Sequence, residues 1–154
     1  MKHAVTDADF MAMPGHLIRR MNQRATALFR ERMGAANLDL TPVQFAVLAA
    51  LDHVGATDQA KLAGMIAYDK VTIGGVVDRL VAKGLVDRRA SKTDRRAKAL
   101  RLTQNGTVLL DRARPTVRDL QDEVLGGLTA DEAETLVALL AKAAVGSGAE
   151  PEVR

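Results

Sequence analysis

Seven basic side chains crowd the fifteen residues from 87 to 101: Arg88, Arg89, Lys92, Arg95, Arg96, Lys98 and Arg101. Only Asp87 and Asp94 oppose them, a local charge of +5 in a chain that carries +3 in total, so the remainder is net acidic. Guanidinium and ammonium groups at this density take up phosphates of a polyanion and displace its counterions. A charge run is more often a plain solvated face. This one follows two short helices joined by a tight turn, and that position favours a ligand. The second of those helices, residues 69–83, presents Lys70, Val71, Thr72, Gly74 and Gly75 away from its apolar stripe of Ile73, Val76, Val77 and Leu80. Side chains on the first turns of such a helix can reach base edges in a major groove. Lysine donates to guanine or phosphate, and the valine and threonine methyls pack on a thymine methyl. Arg79, a turn further on, suits a phosphate or a carboxylate. Glycine costs a helix about 1 kcal/mol relative to alanine, so the Gly74-Gly75 pair needs a reason. It serves either close approach to DNA or tight packing on a neighbouring helix.

The basic run itself reads as a hairpin, with strands near 85–90 and 97–103 and a tip at Ser91-Lys92-Thr93-Asp94. Leu100 and Leu102 alternate with Arg101 as on a half-buried strand. Arg95 or Arg96 can enter a minor groove, where narrow A·T stretches concentrate negative potential. Arg88 and Lys92 add phosphate contacts. Asp94 is expected to hold an arginine or to stitch the hairpin to the body.

Other chemistries find little support. His3, His16 and His53 have no metal-ligand spacing, and there is no glycine-rich phosphate loop, HExxH or GxSxG. No pair of carboxylates stands in an apolar context, so neither an enzyme nor a bound cofactor or metal is expected. The absence of cysteine excludes disulfides, thiolate ligands and thiol-based sensing. No apolar run approaches the roughly 18 residues that span a bilayer, and residues 1–10 lack a signal-peptide core. A cytoplasmic location without membrane contact is the expectation. Four aromatics and no tryptophan offer no stacking platform for single strands, and a deep A-form RNA groove would not admit the helix. A helical interaction protein whose basic hairpin binds an acidic partner is the remaining alternative. The capped helix carrying Lys70 and Thr72 argues against it.

The elements that must position these groups are mostly helical. Over residues 14–33, Leu17, Ile18, Met21, Ala25, Leu28, Phe29 and Met33 recur at helical spacing. Thr41-Pro42-Val43-Gln44 is a capping box with proline at the first helical position. Asp58 and Asp69 cap the next two helices, and Gly84 fits a left-handed C-cap. Thr103 caps a long segment to 125 that Pro115 should interrupt with a kink. Thr129-Ala130-Asp131-Glu132 opens a last helix with Leu136, Leu139 and Leu140 on its apolar side, and residues 146–154 read as a frayed tail. The fold class is therefore mostly α with a small β-hairpin. Residues 104–154 hold nine acids against five bases, which keeps them off DNA. Terminal helices with one apolar face commonly meet across a two-fold axis, so a homodimer is expected.

The stretch 40–106 resembles the winged helix-turn-helix of the MarR family (multiple antibiotic resistance regulators). LTPVQFAVLAAL, DQAKLAGMIAYDKVTIGGVVDRLVAKGLVDR and TDRRAKALRLTQNG carry the likeness, the last with its Asp-x-Arg tip and L-x-L-T-x-x-G exit. The resemblance implies dimerisation helices in 1–40 and 104–154 around a DNA-binding lobe at 41–103. It implies a recognition helix at 69–83 with Lys70, Val71, Thr72 and Gly75 facing the groove, and Asp94 and Arg96 as the wing-tip pair. Many members bear a larger polar residue where this chain has Gly74 or Gly75. Family members commonly repress genes as dimers on double-stranded operators and release them on binding a small effector, often an aromatic carboxylate or its coenzyme A thioester. Candidate lining residues here are His16, Arg19 and Arg20, with Phe45, Val47 and Tyr68 opposite: a cation beside a flat apolar wall.

Overall fold

The structure, a computed structural model, describes residues 7–90 and 98–145. A short 3-10 segment (Asp7–Ala12) leads into α1 (Pro14–Ala35), α2 (Pro42–Val54), α3 (Gln59–Met65) and α4 (Lys70–Ala82). The hairpin strands β1 (Val86–Ala90) and β2 (Lys98–Leu102) follow, then α5 (Gln104–Val124) and α6 (Ala130–Val145). The architecture is the mostly α winged helix-turn-helix read from the sequence. No helix among the described residues is long and apolar enough to cross a membrane.

Side chains start the helices. Thr41 Oγ1 accepts from Gln44 N at 3.2 Å while Gln44 Oε1 accepts from Thr41 N at 3.1 Å. Asp58, Asp69 and Thr103 accept from the backbone three residues on, at 2.8, 2.8 and 3.0 Å. Thr129 and Glu132 form the second capping box. Each cap satisfies an N–H with no acceptor inside its helix, worth about 1 kcal/mol.

Three helices also end alike. Leu38 N donates to Met33 O at 2.9 Å, Tyr68 N to Ala63 O at 3.1 Å and Leu85 N to Leu80 O at 2.9 Å. This closure needs a left-handed residue at its centre: Asn37 (φ 53°), Ala67 (φ 56°) and Gly84 (φ 70°). Gly84 meets the expectation, asparagine is the common alternative to glycine at such a cap, and Ala67 alone of the three carries no such signal.

One apolar core joins the elements. Met33, Leu48, Leu51, Leu62, Ile73, Leu80, Leu100 and Leu110 are fully buried, so α1 through α5 and the hairpin each contribute. In the antiparallel hairpin Val86 pairs with Leu102 and Arg88 with Leu100. Leu100 also exchanges backbone bonds with Thr57 (N to O, 2.7 Å; O from N, 3.0 Å). The wing is thereby tied to the loop before α3. At its base Thr103 Oγ1 donates to Gly84 O at 2.7 Å, and Thr103 N donates to Leu85 O at 3.1 Å. Here α5 crosses so closely that a Cβ on Gly106 would lie 2.1 Å from Leu85 O.

Pro115 does not end α5, which runs as one helix from Gln104 to Val124 with the proline inside it. Proline removes one N–H, which leaves the Asp111 carbonyl without its helical donor. Both residues are exposed, so water can serve that carbonyl. The expected tail at 146–154 lies outside the described residues.

Candidate nucleic-acid interface

The turn between α3 and α4 delivers Asp69 to the mouth of the second helix. Its carboxylate accepts from Thr72 N at 2.8 Å and from the Thr72 hydroxyl at 2.5 Å. The hydroxyl bond first, then the backbone bond, hold Asp69 below its ordinary pKa of 3.8. Lys70, Val71, Thr72, Gly75 and Arg79 are all exposed along α4, and Val71 is 87% exposed. The opposite stripe, Ile73, Val76, Val77 and Leu80, is buried.

The two glycines have different surroundings. A Cβ on Gly74 would come 3.1 Å from Gln59 Nε2 of α3. That amide donates to Lys70 O at 3.3 Å, so Gly74 lets α3 pack on the first turn of α4. A Cβ on Gly75 would meet nothing within 4 Å.

On the hairpin, Arg88 is half-buried and its Nη2 lies 2.6 Å from Asp78 Oδ1 of α4. It braces the hairpin against α4. Arg89 pairs with Asp87 at 2.5 Å, and Lys98 and Arg101 are exposed. Lys92, Asp94, Arg95 and Arg96 lie outside the described residues. A hollow of about 480 Å³ separates the two helices from the wing, lined by Asp58, Gln59, Lys70, Asp78, Arg88 and Lys98 among others.

The candidate effector residues each have their own surroundings. His16 meets Phe10 edge-on, ring centroids 5.0 Å apart, and its Nε2 is buried without a hydrogen-bond partner among the described residues. Arg19 and Arg20 are exposed on α1. Phe45 is half-buried and packs edge-on against Phe29 at 6.1 Å. Val47 is wholly buried in the core, and Tyr68 is exposed in the α3–α4 turn. The hollow beside the wing contains none of them, nor does one of about 220 Å³ lined by Leu51, Asp52, Gly55 and Arg101 among others. No cluster of metal-ligating side chains occurs among the described residues.

The groups that tie the long helices to each other and to the lobe carried no signal in the sequence. Arg32 of α1 grips Glu123 of α5 with two parallel hydrogen bonds, Nε to Oε1 at 2.9 Å and Nη2 to Oε2. Arg24 donates to the Glu123 and Val124 carbonyls at 2.9 and 3.1 Å. Arg114 of α5 pairs with Asp52 of α2. The Arg32 hydrogen bond holds the Glu123 carboxyl below its ordinary range. These partners lie too far apart in sequence for any local pattern to reveal them.

A helix-turn-helix with a paired hairpin braced on its second helix defines the winged helix-turn-helix class. The MarR family model matches residues 40–98. The transcriptional repressor NicR of Pseudomonas putida is 38% identical over 137 residues, spanning 89% of this chain and 85% of NicR. A structure of BpsR from Bordetella bronchiseptica, solved to explain regulation of its DNA binding by 6-hydroxynicotinic acid, is 33% identical with a TM-score of 0.82. It covers 92% of this chain and 97% of BpsR. A mutant MarR of Escherichia coli complexed with operator DNA is 30% identical with a TM-score of 0.80, covering 90% of this chain and 98% of the other. The chain belongs to the MarR family of winged helix-turn-helix transcriptional regulators.

Proposed function

We propose that this protein is an effector-responsive repressor that binds a pseudo-palindromic operator as a homodimer. The observation that carries the reading is the open face of α4. Lys70, Val71, Gly75 and Arg79 stand exposed on a helix whose other side is locked into the core, beside a hairpin braced by Arg88 and Asp78. The operator complex of the related MarR supports the same use of the fold. Two recognition helices would enter successive major grooves about 34–36 Å apart, with the wing arginines in the flanking minor grooves.

Dimerisation is supported by apolar surface left open at both ends of the chain. Leu17, Ile18 and Met21 of α1 and Val137, Leu139 and Leu140 of α6 are exposed, and α6 has no buried residue. A second copy would cover these faces.

For the effector we propose an aromatic carboxylate or its coenzyme A thioester, taken up near His16, Arg19 and Arg20 with Phe45 and Tyr68. The His16 Nε2, without a hydrogen-bond partner among the described residues and beside the Phe10 ring, supports a polar-plus-aromatic contact there. The BpsR relative responds to 6-hydroxynicotinic acid, which makes that compound the first probe. The effector must bind the DNA-incompetent arrangement more tightly, since equal affinity shifts nothing.

The test is fluorescence anisotropy on the duplex upstream of the protein's own gene, with 6-hydroxynicotinic acid and a panel of benzoates and their coenzyme A thioesters. Specific nanomolar binding relieved by one of these compounds is expected. Specific binding that none relieves would discard the effector class. Weak, sequence-blind binding would discard the operator.

A further inference from the structure

Resting on the DNA-binding role proposed above, we infer that α4 reads its operator by hydrocarbon contact with thymine 5-methyl groups, and that Val71 is the specificity-determining residue. A helix in a major groove distinguishes bases through hydrogen bonds to their edges or through contact with the thymine methyl. On the first two turns of α4 the means for hydrogen bonding are largely engaged or missing. Gly74 and Gly75 bring no side chain. The Thr72 hydroxyl proton is committed to Asp69 at 2.5 Å, and that carboxylate is occupied in capping the helix. Lys70 is a flexible point charge that serves a phosphate as readily as a base.

What projects from this face is the Val71 isopropyl group. At 87% exposure it is the most open large apolar side chain among the described residues. It contributes almost nothing to the core, and its β-branch slightly disfavours the helix that carries it.

A valine is a short reader. It reaches a base only if the backbone beneath it comes close, and Gly75 makes that possible. Val71 and Gly75 stand four residues apart, so they lie one above the other on the same face. A Cβ at Gly75 would point into open space, so nothing inside the protein requires glycine there. Bare backbone beside a short apolar group lets the helix seat deeply enough for methyl to meet methyl. Gly74, by contrast, is accounted for by Gln59.

The experiment uses full-length wild type and Val71→Ala on the duplex that the wild type footprints upstream of its own gene. Each thymine of one half-site is replaced in turn by deoxyuracil, which deletes the 5-methyl and keeps the base pair. At about one or two positions, deoxyuracil should weaken wild-type binding about three- to tenfold. Val71→Ala should bind the thymine and uracil duplexes equally at those positions. Gly75→Ala, which the fold accommodates, should weaken binding to every duplex. Uracil replacement without effect anywhere would overturn methyl readout, and a uracil effect unchanged in Val71→Ala would overturn the assignment to Val71. If the wild type shows no specific binding to the unmodified duplex, the operator reading falls and this inference falls with it.

Discussion

Gly75 and Gly106 are both helical glycines, and their surroundings differ. A side chain at Gly106 must overlap the Leu85 carbonyl, so Gly106→Ala should lower stability by about 2–3 kcal/mol through forced displacement of the wing base. Gly75→Ala meets no obstacle. It should raise stability by up to about 1 kcal/mol through helix propensity while reducing DNA affinity. Urea unfolding of the two variants beside operator titrations checks both signs, and a stabilised Gly106→Ala would contradict the crossing described here. Asp69 adds a pH effect. Its folded pKa is depressed by Thr72, so its contribution is complete above the ordinary aspartate range and lost as pH falls through the depressed value. Carboxylate NMR should place its titration below that of an unperturbed aspartate, and Thr72→Ala should return it toward normal. Of the two Gly74-Gly75 readings, the sequence could not choose, because the difference lies in where Gln59 of the preceding helix happens to point.

The individual elements were legible because each carries local instructions. Thr41, Asp58, Asp69, Thr103 and Thr129 announce helix starts, and Gly84 announces a stop through its left-handed φ. Periodicity then tells which side of a helix is apolar, but not which element it meets. The Thr57–Leu100 exchange and the Arg32–Glu123 grip were therefore invisible, as was Arg88 bracing α4 through Asp78. Pro115 sits inside α5 rather than at its end, with the Asp111 carbonyl that it orphans open to water. The grip of α1 on α5 has a measurable consequence. Glu123 is held below its ordinary pKa by Arg32, so its share of stability is present above the usual glutamate range and fades as pH drops through the depressed value. Glu123→Gln should lower the melting midpoint at neutral pH and lessen its fall on acidification below the usual glutamate range, as followed by circular dichroism. A variant whose midpoint matched wild type at neutral pH would mean that Arg24 and the apolar packing hold this joint alone.

Among the described residues, the densest basic surface and the exposed apolar faces of the first and last helices lie on different elements. The basic hairpin and the open face of α4 belong to one lobe, while Leu17, Met21, Leu139 and Leu140 stand exposed on α1 and α6. Such a division suits a protein that pairs with itself at one end and with a polyanion at the other. Replacing Leu139 and Leu140 together by glutamate should convert the proposed dimer to a monomer in sedimentation. Affinity for the full operator should then drop at least about a hundredfold, because linked half-sites lose their shared effective concentration. The most telling observation would be hydroxyl-radical footprinting of the wild-type protein on its own upstream duplex, at two salt concentrations. Two protected tracts about one helical turn apart, related by two-fold symmetry and lost as salt rises, are the expected pattern. Uniform or absent protection at low salt would contradict a symmetric operator-binding dimer.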